Sequence, residues 1–422
     1  MVNMKRGTLP RSRGNPKSCP SLRYPPTPVP LMTVVFLLCI LSIIIIFELV
    51  KDDFELEDMA PNAFSASEFA NSAPKRQQQC KKGRKNQYKY IPAQLEKYIM
   101  EHTRDLGYAS THDPSGCNVW KSQSTLVKSF LTFQIDPQQQ NEFEQYRLNL
   151  QRYTDAMSAF EPIPDLLESI QSTGTHTVCR KARLHPDGLQ EFFQQGQLSN
   201  TKSGFVEPLT PPMRNPNICF EKERSMDTLL ELNYLVHDFE AMCRNLKPTS
   251  KRILLDLGAS LEFHSDQNPM LTLLETYEKF GFQFDHIYAF EKNFTDPTHV
   301  FQDLIPDKYL TKYHWINAGV EYESGNALNP WESILKRFSK DDFIVVKLDI
   351  DTSFIEVPLA RQLLEDLDCV YHELIDQFYF EHHVHMKELA PCWLESMEGT
   401  IEDTMNLFVG LRERGIPAHF WP

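Results

Sequence analysis

The chain has 422 residues, long enough for two or three compact units. Its apolar content of 41% and charged content of 24% are those of a globular protein. A net charge of −14 speaks against nucleic acid as a partner, because phosphate binding wants a basic face.

Residues 1–30 carry Lys5, Arg6, Arg11, Arg13, Lys17 and Arg23, several prolines and no acid, the pattern of a disordered tail. Leu31 to Phe47 then runs without a charge, at the short end of the roughly 17 to 25 residues that cross a bilayer. Acids dominate beyond it: Glu48, Asp52, Asp53, Glu55, Glu57 and Asp58. The positive-inside rule places the tail in the cytosol and the rest of the chain beyond the membrane. A cleaved signal peptide is the competing reading. The long basic region, the long apolar run and the lack of a small-x-small site favour an uncleaved signal anchor over 31–50. A short span suits the thinner Golgi bilayer. The expectation is a single-pass type II membrane protein, held in the membrane by its N-terminal helix, with a luminal C-terminal part.

There are nine cysteines. Apart from Cys19 and Cys39, they are Cys80, Cys117, Cys179, Cys219, Cys243, Cys369 and Cys392, and an oxidising lumen would permit disulfides among them. Asn293-Phe294-Thr295 is a glycosylation acceptor pattern.

Residues 51–90 are polar and read as a flexible stem. Residues 91–245 read as mostly helical, with helices expected over 93–103, 140–160, 162–172 and 226–246. Between the last two, Phe205 to Pro216 carries four prolines and must cross in extended or turn conformation. The bland reading, a helical scaffold, is favoured here over a substrate-shaping cap.

From residue 246 to 422 the pattern alternates. Strands are expected at 253–255, 286–290, 313–316, 343–348, 369–375 and the final IPAHFW. Helices are expected at 270–280, 300–309, 331–338, 357–367 and 400–414. This alternation predicts an α/β fold with a doubly wound, Rossmann-like parallel sheet. Ligands of such sheets lie outside the carboxyl ends of the strands. The expected strand ends carry Asp256, Glu291, Asn317, Asp349 and Glu373. Gly258 follows the first strand in a turn with Ala259 and Ser260, and an acid closing the second strand can accept both hydroxyls of a ribose.

Residues 251–422 resemble a class I S-adenosylmethionine-dependent methyltransferase of the FkbM type. The likeness rests on Asp256-Leu257-Gly258-Ala259, on Glu291, and on Lys347-Leu348-Asp349-Ile350-Asp351 followed by Glu356. Ser260-Leu261-Glu262-Phe263 stands where that family has Asn-x-x-Gly. The resemblance implies that Asp256, Gly258, Ala259, Ser260, Glu291 and Asn317 place S-adenosylmethionine. It implies that Asp349, Asp351 and His372 face a hydroxyl acceptor, a small molecule or a glycan, or a divalent metal. It also implies a seventh strand inserted antiparallel between the last parallel strands.

Two alternatives stay open. Asp349-x-Asp351 at a strand end also describes a Golgi glycosyltransferase, whose carboxylates hold a divalent metal against a nucleotide diphosphate. A methyltransferase fold that only binds a partner is the other. Tyr371 to Met386 is dense in potential ligands, namely His372, Glu373, Asp376, Glu381, His382, His383 and His385. Imidazole and carboxylate together suit a transition metal or a general base. Solvated, hydrogen-bonded histidines are the plainer account of any one of them.

Overall fold

Lys89–Ile91 (β1) pairs antiparallel with Gln197–Ser199 (β2), which pairs antiparallel with Gly204–Phe205 (β3). This small sheet had no counterpart among the sequence expectations. The helices of the same region are Gln94–Glu101 (α1), Pro137–Ala159 (α2), Leu166–Thr173 (α3), Thr175–Lys181 (α4), Met226–Leu230 (α5) and Phe239–Arg244 (α6). Asp165 caps α3 by accepting from the Glu168 N–H, and Asp238 caps α6 by accepting from the Ala241 N–H. The single helix expected over 226–246 is two. Its middle is pulled out of helical bonding because Val236 N donates to the buried Glu207 carboxylate and His237 N donates to the Tyr153 hydroxyl, each at 3.0 Å.

The computed structural model describes residues 89–112, 114–120, 137–183, 197–199, 204–211, 213–219, 226–261, 263, 268–366, 370–388 and 396–422. The tail, the anchor and nearly all of the stem lie outside them, as do Cys80, Cys369 and Cys392. Among the described residues no helix is long and apolar enough to cross a membrane. Two disulfides, Cys117–Cys219 and Cys179–Cys243, tie the helical region together.

The second sheet is the frame of the site. Its strands are Arg252–Leu257 (β4), His286–Phe290 (β5), Tyr313–Ile316 (β6), Phe343–Leu348 (β7), Gln377–Phe380 (β8) and Ala418–Phe420 (β9). They lie in the order β6-β5-β4-β7-β8-β9, and every pairing is parallel. That is the doubly wound order of a Rossmann-like sheet, with its switch point between β4 and β7. Among the described residues no antiparallel strand enters this sheet, so the inserted seventh strand is not seen.

Pro269–Lys279 (α7) starts on an Asn268 cap, Ser353–Leu364 (α8) follows β7, and Ile401–Glu413 (α9) opens with a capping box between Thr400 and Asp403. The expected strand over 369–375 is corrected. Tyr371–Leu374 is one helical turn, held by Tyr371 N donating to Asp366, and the strand begins at Gln377. The acid that ends this strand is therefore Glu381, not Glu373.

β4 and β7 are buried on both faces, and their side chains alternate between two cores. Ile253, Leu255, Leu257, Ile344, Val346 and Leu348 enter one, while Leu254, Phe343 and Val345 enter the other. Leu95, Ile99 and Tyr108 join the first core, and Tyr153, Leu166 and Phe239 join the second. The described residues of 91–245 thus pack on both faces of the sheet, and Gln78–Pro422 is one unit.

Candidate functional site

A polar row crosses the sheet near its carboxyl edge. Asp256 on β4 is the register partner of Lys347 on β7, Lys347 of Tyr379 on β8, and Tyr379 of His419 on β9. A lysine in a strand buried on both sides needs a carboxylate. Lys347 has two, with its Nζ 3.2 Å from Asp256 Oδ1 and 3.0 Å from Asp349 Oδ2. The same ammonium donates to the Gly258 carbonyl at 2.5 Å. Burial works against the ammonium, but the two aspartates outweigh it and hold the proton on Lys347 more firmly than usual.

The turn after β4 is closed by the protein itself. Gly258 N and Ala259 N both donate to the Phe290 carbonyl, at 3.0 and 2.8 Å. Gly258 has φ +85, and a Cβ there would stand 1.7 Å from the Asp349 carbonyl oxygen. Glycine is needed at this point for the approach of β7. Ala259 is buried, and Ser260 is exposed just past the turn.

Glu291 closes β5 as the strand pattern suggested, half-buried beside this turn. Its Oε1 accepts from Asn293 N at 2.7 Å. Asn317 follows β6 but acts on the loop: its amide donates to the Glu291 and Asn293 carbonyls, and its oxygen accepts from Thr295 N. Asn317 therefore sets the position of Glu291. Asn293 is exposed on that loop.

Beyond β7, β8 and β9 the ladder continues for one more residue. Asp349 N donates to the Leu257 carbonyl, Glu381 N to the Leu348 carbonyl and Trp421 N to the Phe380 carbonyl. These three side chains converge. Trp421 Nε1 donates to Asp349 Oδ2 at 3.1 Å, and Asp349 and Glu381 act on each other's charge. Arg214, from the proline-rich crossing, is buried against Glu381 and also donates to the Trp421 carbonyl at 3.3 Å. Burial works against the charge on Glu381, but Arg214 and then His383 outweigh it and hold this carboxyl well below the usual range. Burial pushes Asp349 well above that range despite Lys347, and Glu381 adds to the rise.

Asp349 and Asp351 part ways. Asp349 faces inward to Lys347 and Trp421, whereas Asp351 is 69% exposed, with φ +53, and approaches His383. The His383 ring is fully buried, with Nδ1 2.9 Å from Ser396 Oγ and Nε2 3.1 Å from Glu381 Oε2. Asp351, Glu381 and His383 form the one group with metal-ligand spacing among the described residues. Beside Asp351 lies a cleft of about 300 Å³, lined by residues 351–354 and 396–398.

The rest of the ligand-dense segment does other work. His382 is buried against Phe380, ring centroids 5.1 Å apart, and burial pushes it down to about 3. His385 Nδ1 meets the Gly399 carbonyl at 2.8 Å. Asp376 accepts from Ile344 N at the amino edge of the sheet. His372 and Glu373 lie on the helical turn before β8, also at that edge. A four-residue strand at about 3.3 Å per residue puts roughly 13 Å between His372 and the Asp349 edge. The structure does not bring His372 together with Asp349 and Asp351.

Comparison with protein-family models, with curated proteins and with solved structures gives no match. The geometry adds Arg214 and Trp421 to the site, and it gives contacts to Lys347 and Glu356 of the quoted motif and to Glu381 and His383 of the ligand-dense segment. The signal for Lys347 was available, since a charge inside Phe-Ile-Val-Val-Lys-Leu must find a buried partner. Nothing local marks Arg214 or Trp421, which reach the site from distant segments.

Proposed function

We propose that the chain is an S-adenosylmethionine-dependent methyltransferase-like protein, acting on a hydroxyl acceptor in the secretory lumen and anchored by its N-terminal apolar segment. The observation that carries this reading is the charge and hydrogen bonding of the strand edge. Asp256, Glu291, Asp349, Asp351 and Glu381 all come from its strand ends. The first turn offers no pair of N–H groups, because Gly258 and Ala259 are bonded to Phe290. A nucleotide diphosphate needs such donors or a cation. A nucleoside sulfonium without phosphate needs neither, and Glu291 and Asp351, the two strand-end acids not set against Lys347 or Arg214, favour its positive charge. The same facts weigh against a sugar nucleotide held by Asp349 and Asp351, which do not point to one ion.

S-adenosylmethionine supplies an activated methyl group. Glu291, beside the Gly258 turn, is the carboxylate that accepts ribose hydroxyls. Asp351, on the cleft, faces the acceptor hydroxyl. Phe354, 70% exposed on the same cleft, offers an aromatic face to a sugar or another flat acceptor. Alignment of the two reactants in this cleft is where the rate would be gained. The two disulfides support an oxidising compartment.

The test is calorimetric titration of the purified full-length chain with S-adenosylmethionine, with S-adenosylhomocysteine, and with sugar nucleotides plus manganese. Saturable binding of the first two is expected, weakened about 10- to 100-fold by Glu291→Ala, the loss of charged hydrogen bonds worth about 1.5 to 3 kcal/mol. Binding of a sugar nucleotide alone, or of none of them, would overturn the reading.

A further inference from the structure

We propose that Asp351, Glu381 and His383 form a binding site for one divalent transition-metal ion, open to the cleft beside Asp351. The site shares Asp351 with the acceptor cleft but stands apart from the S-adenosylmethionine edge at Gly258 and Glu291, and it holds whether or not that edge takes a methyl donor.

The donor atoms of the three residues lie within 4.8 Å of one another. His383 Nε2 is 3.1 Å from Glu381 Oε2 and 3.7 Å from Asp351 Oδ1. Donors held about 2.1 Å from a single ion stand roughly 3 to 3.5 Å apart, so a small inward shift of the exposed Asp351 completes the set. One imidazole with two carboxylates suits manganese, iron, cobalt or zinc better than calcium or magnesium, which prefer all-oxygen sets.

The supporting contacts are those of a built site. His383 Nδ1 meets Ser396 Oγ at 2.9 Å, which fixes the ring with Nε2 toward the two acids. Glu381 is held through its other oxygen by Arg214, leaving Oε2 on the His383 side. A third carboxyl lies near these groups. Glu356 is 1% exposed, its Oε1 accepts from Ile350 N at 2.7 Å, and its Oε2 is buried without a hydrogen-bond partner. The groups that act on its charge are His383, Glu381 and Asp351. A buried carboxylate oxygen left without a donor is costly. A cation at this point, or a water bound to it, satisfies that oxygen. Three protein ligands leave coordination positions toward the cleft, the arrangement of a site that meets substrate and not of a closed structural one.

The measurement is cobalt binding by the full-length chain after removal of metals by a chelator, with no methyl donor present. The readouts are the visible absorption of bound cobalt and calorimetric stoichiometry. One cobalt per chain is expected, displaced by zinc. Asp351→Asn and His383→Gln should each weaken it about 10- to 100-fold, and His383→Gln should also shift the absorption bands. Asp351→Asn guards against misfolding as an explanation. The position is exposed, and asparagine tolerates its left-handed backbone, so its thermal melt should match the parent protein. No saturable cobalt uptake, or equal affinity in the parent and both variants, would overturn the proposal. Because S-adenosylmethionine is absent, failure here is read apart from failure of the methyltransferase reading.

Discussion

Asp256 and Lys347 face each other in register on adjacent parallel strands, and their side chains meet as an ion pair at 3.2 Å, each at most 3% exposed. Lys347 also holds Asp349, so one ammonium organises the ends of β4 and β7. Removing one member of such a pair strands a buried charge. Lys347→Met is expected to lower stability by about 3 to 5 kcal/mol. The double variant Asp256→Asn, Lys347→Met should lose clearly less than the sum of the two single losses. Urea unfolding of the four proteins gives the coupling, and strictly additive losses would show that the pair contributes none.

Much of the sheet was legible because a strand buried on both faces reads as a short apolar run with a polar end. β5 and β7 match their expected limits, and β4 begins one residue earlier and ends two residues later than expected, with Asp256 inside it. One failure comes from the satisfaction of backbone groups by side chains distant in sequence. Val236 N goes to Glu207 and His237 N to Tyr153, 29 and 84 residues away, and so the 226–246 helix breaks. The shift of β8 has a local cause. Its Gln-Phe-Tyr-Phe core sat inside a segment read for its ligands, while 369–375 looked like the strand. The site was half visible for the same reason. Glu291, Asp349 and Asp351 are strand-end acids that a pattern can find, whereas the Arg214 and Trp421 contacts exist only once the chain has closed.

His237 gives a pH prediction. Its ring is 3% exposed beside Tyr379, with Nε2 2.5 Å from the Tyr379 hydroxyl, and burial pushes it down to about 3. The unfolded chain binds a proton on this ring below about pH 6.5, and the folded chain does not until about pH 3. Its contribution is therefore fully present above pH 6.5 and falls as pH drops through that window, by up to about 1.4 kcal/mol per pH unit. His382 behaves in the same sense. Urea midpoints of the parent and of His237→Gln between pH 4 and 7 should converge on acidification. A constant gap between them would show that His237 is protonated in the folded state.

The disulfides close loops of 102 and 64 residues. Long loops place them toward the upper part of the usual range, about 2 to 5 kcal/mol each. Cys117→Ser, Cys219→Ser and Cys179→Ser, Cys243→Ser double variants should each unfold at markedly lower urea. Mass mapping of the oxidised parent should show both linkages. Their absence from protein made in an oxidising compartment would remove this support for a luminal location.

Gly258 and Gly325 separate two costs that glycine can hide. Both have left-handed backbones, φ +85 and +81. At Gly325 a Cβ would meet nothing within 4 Å, so Gly325→Ala carries only the conformational strain, about 1 to 2 kcal/mol. At Gly258 the same Cβ would stand 1.7 Å from the Asp349 carbonyl and 2.9 Å from Ile350 Cα. Neither atom is the tip of a flexible side chain, so β7 must move away from the turn. Such a movement pulls Asp349 away from Lys347 and Trp421, and Asp351 away from His383. Gly258→Ala should therefore lose much more stability than Gly325→Ala in urea unfolding. Where it still folds, it should also weaken cobalt binding at Asp351, which Gly325→Ala leaves unchanged. Equal stability losses in the two variants would mean that the Gly258 turn and the Asp349 carbonyl are not in contact.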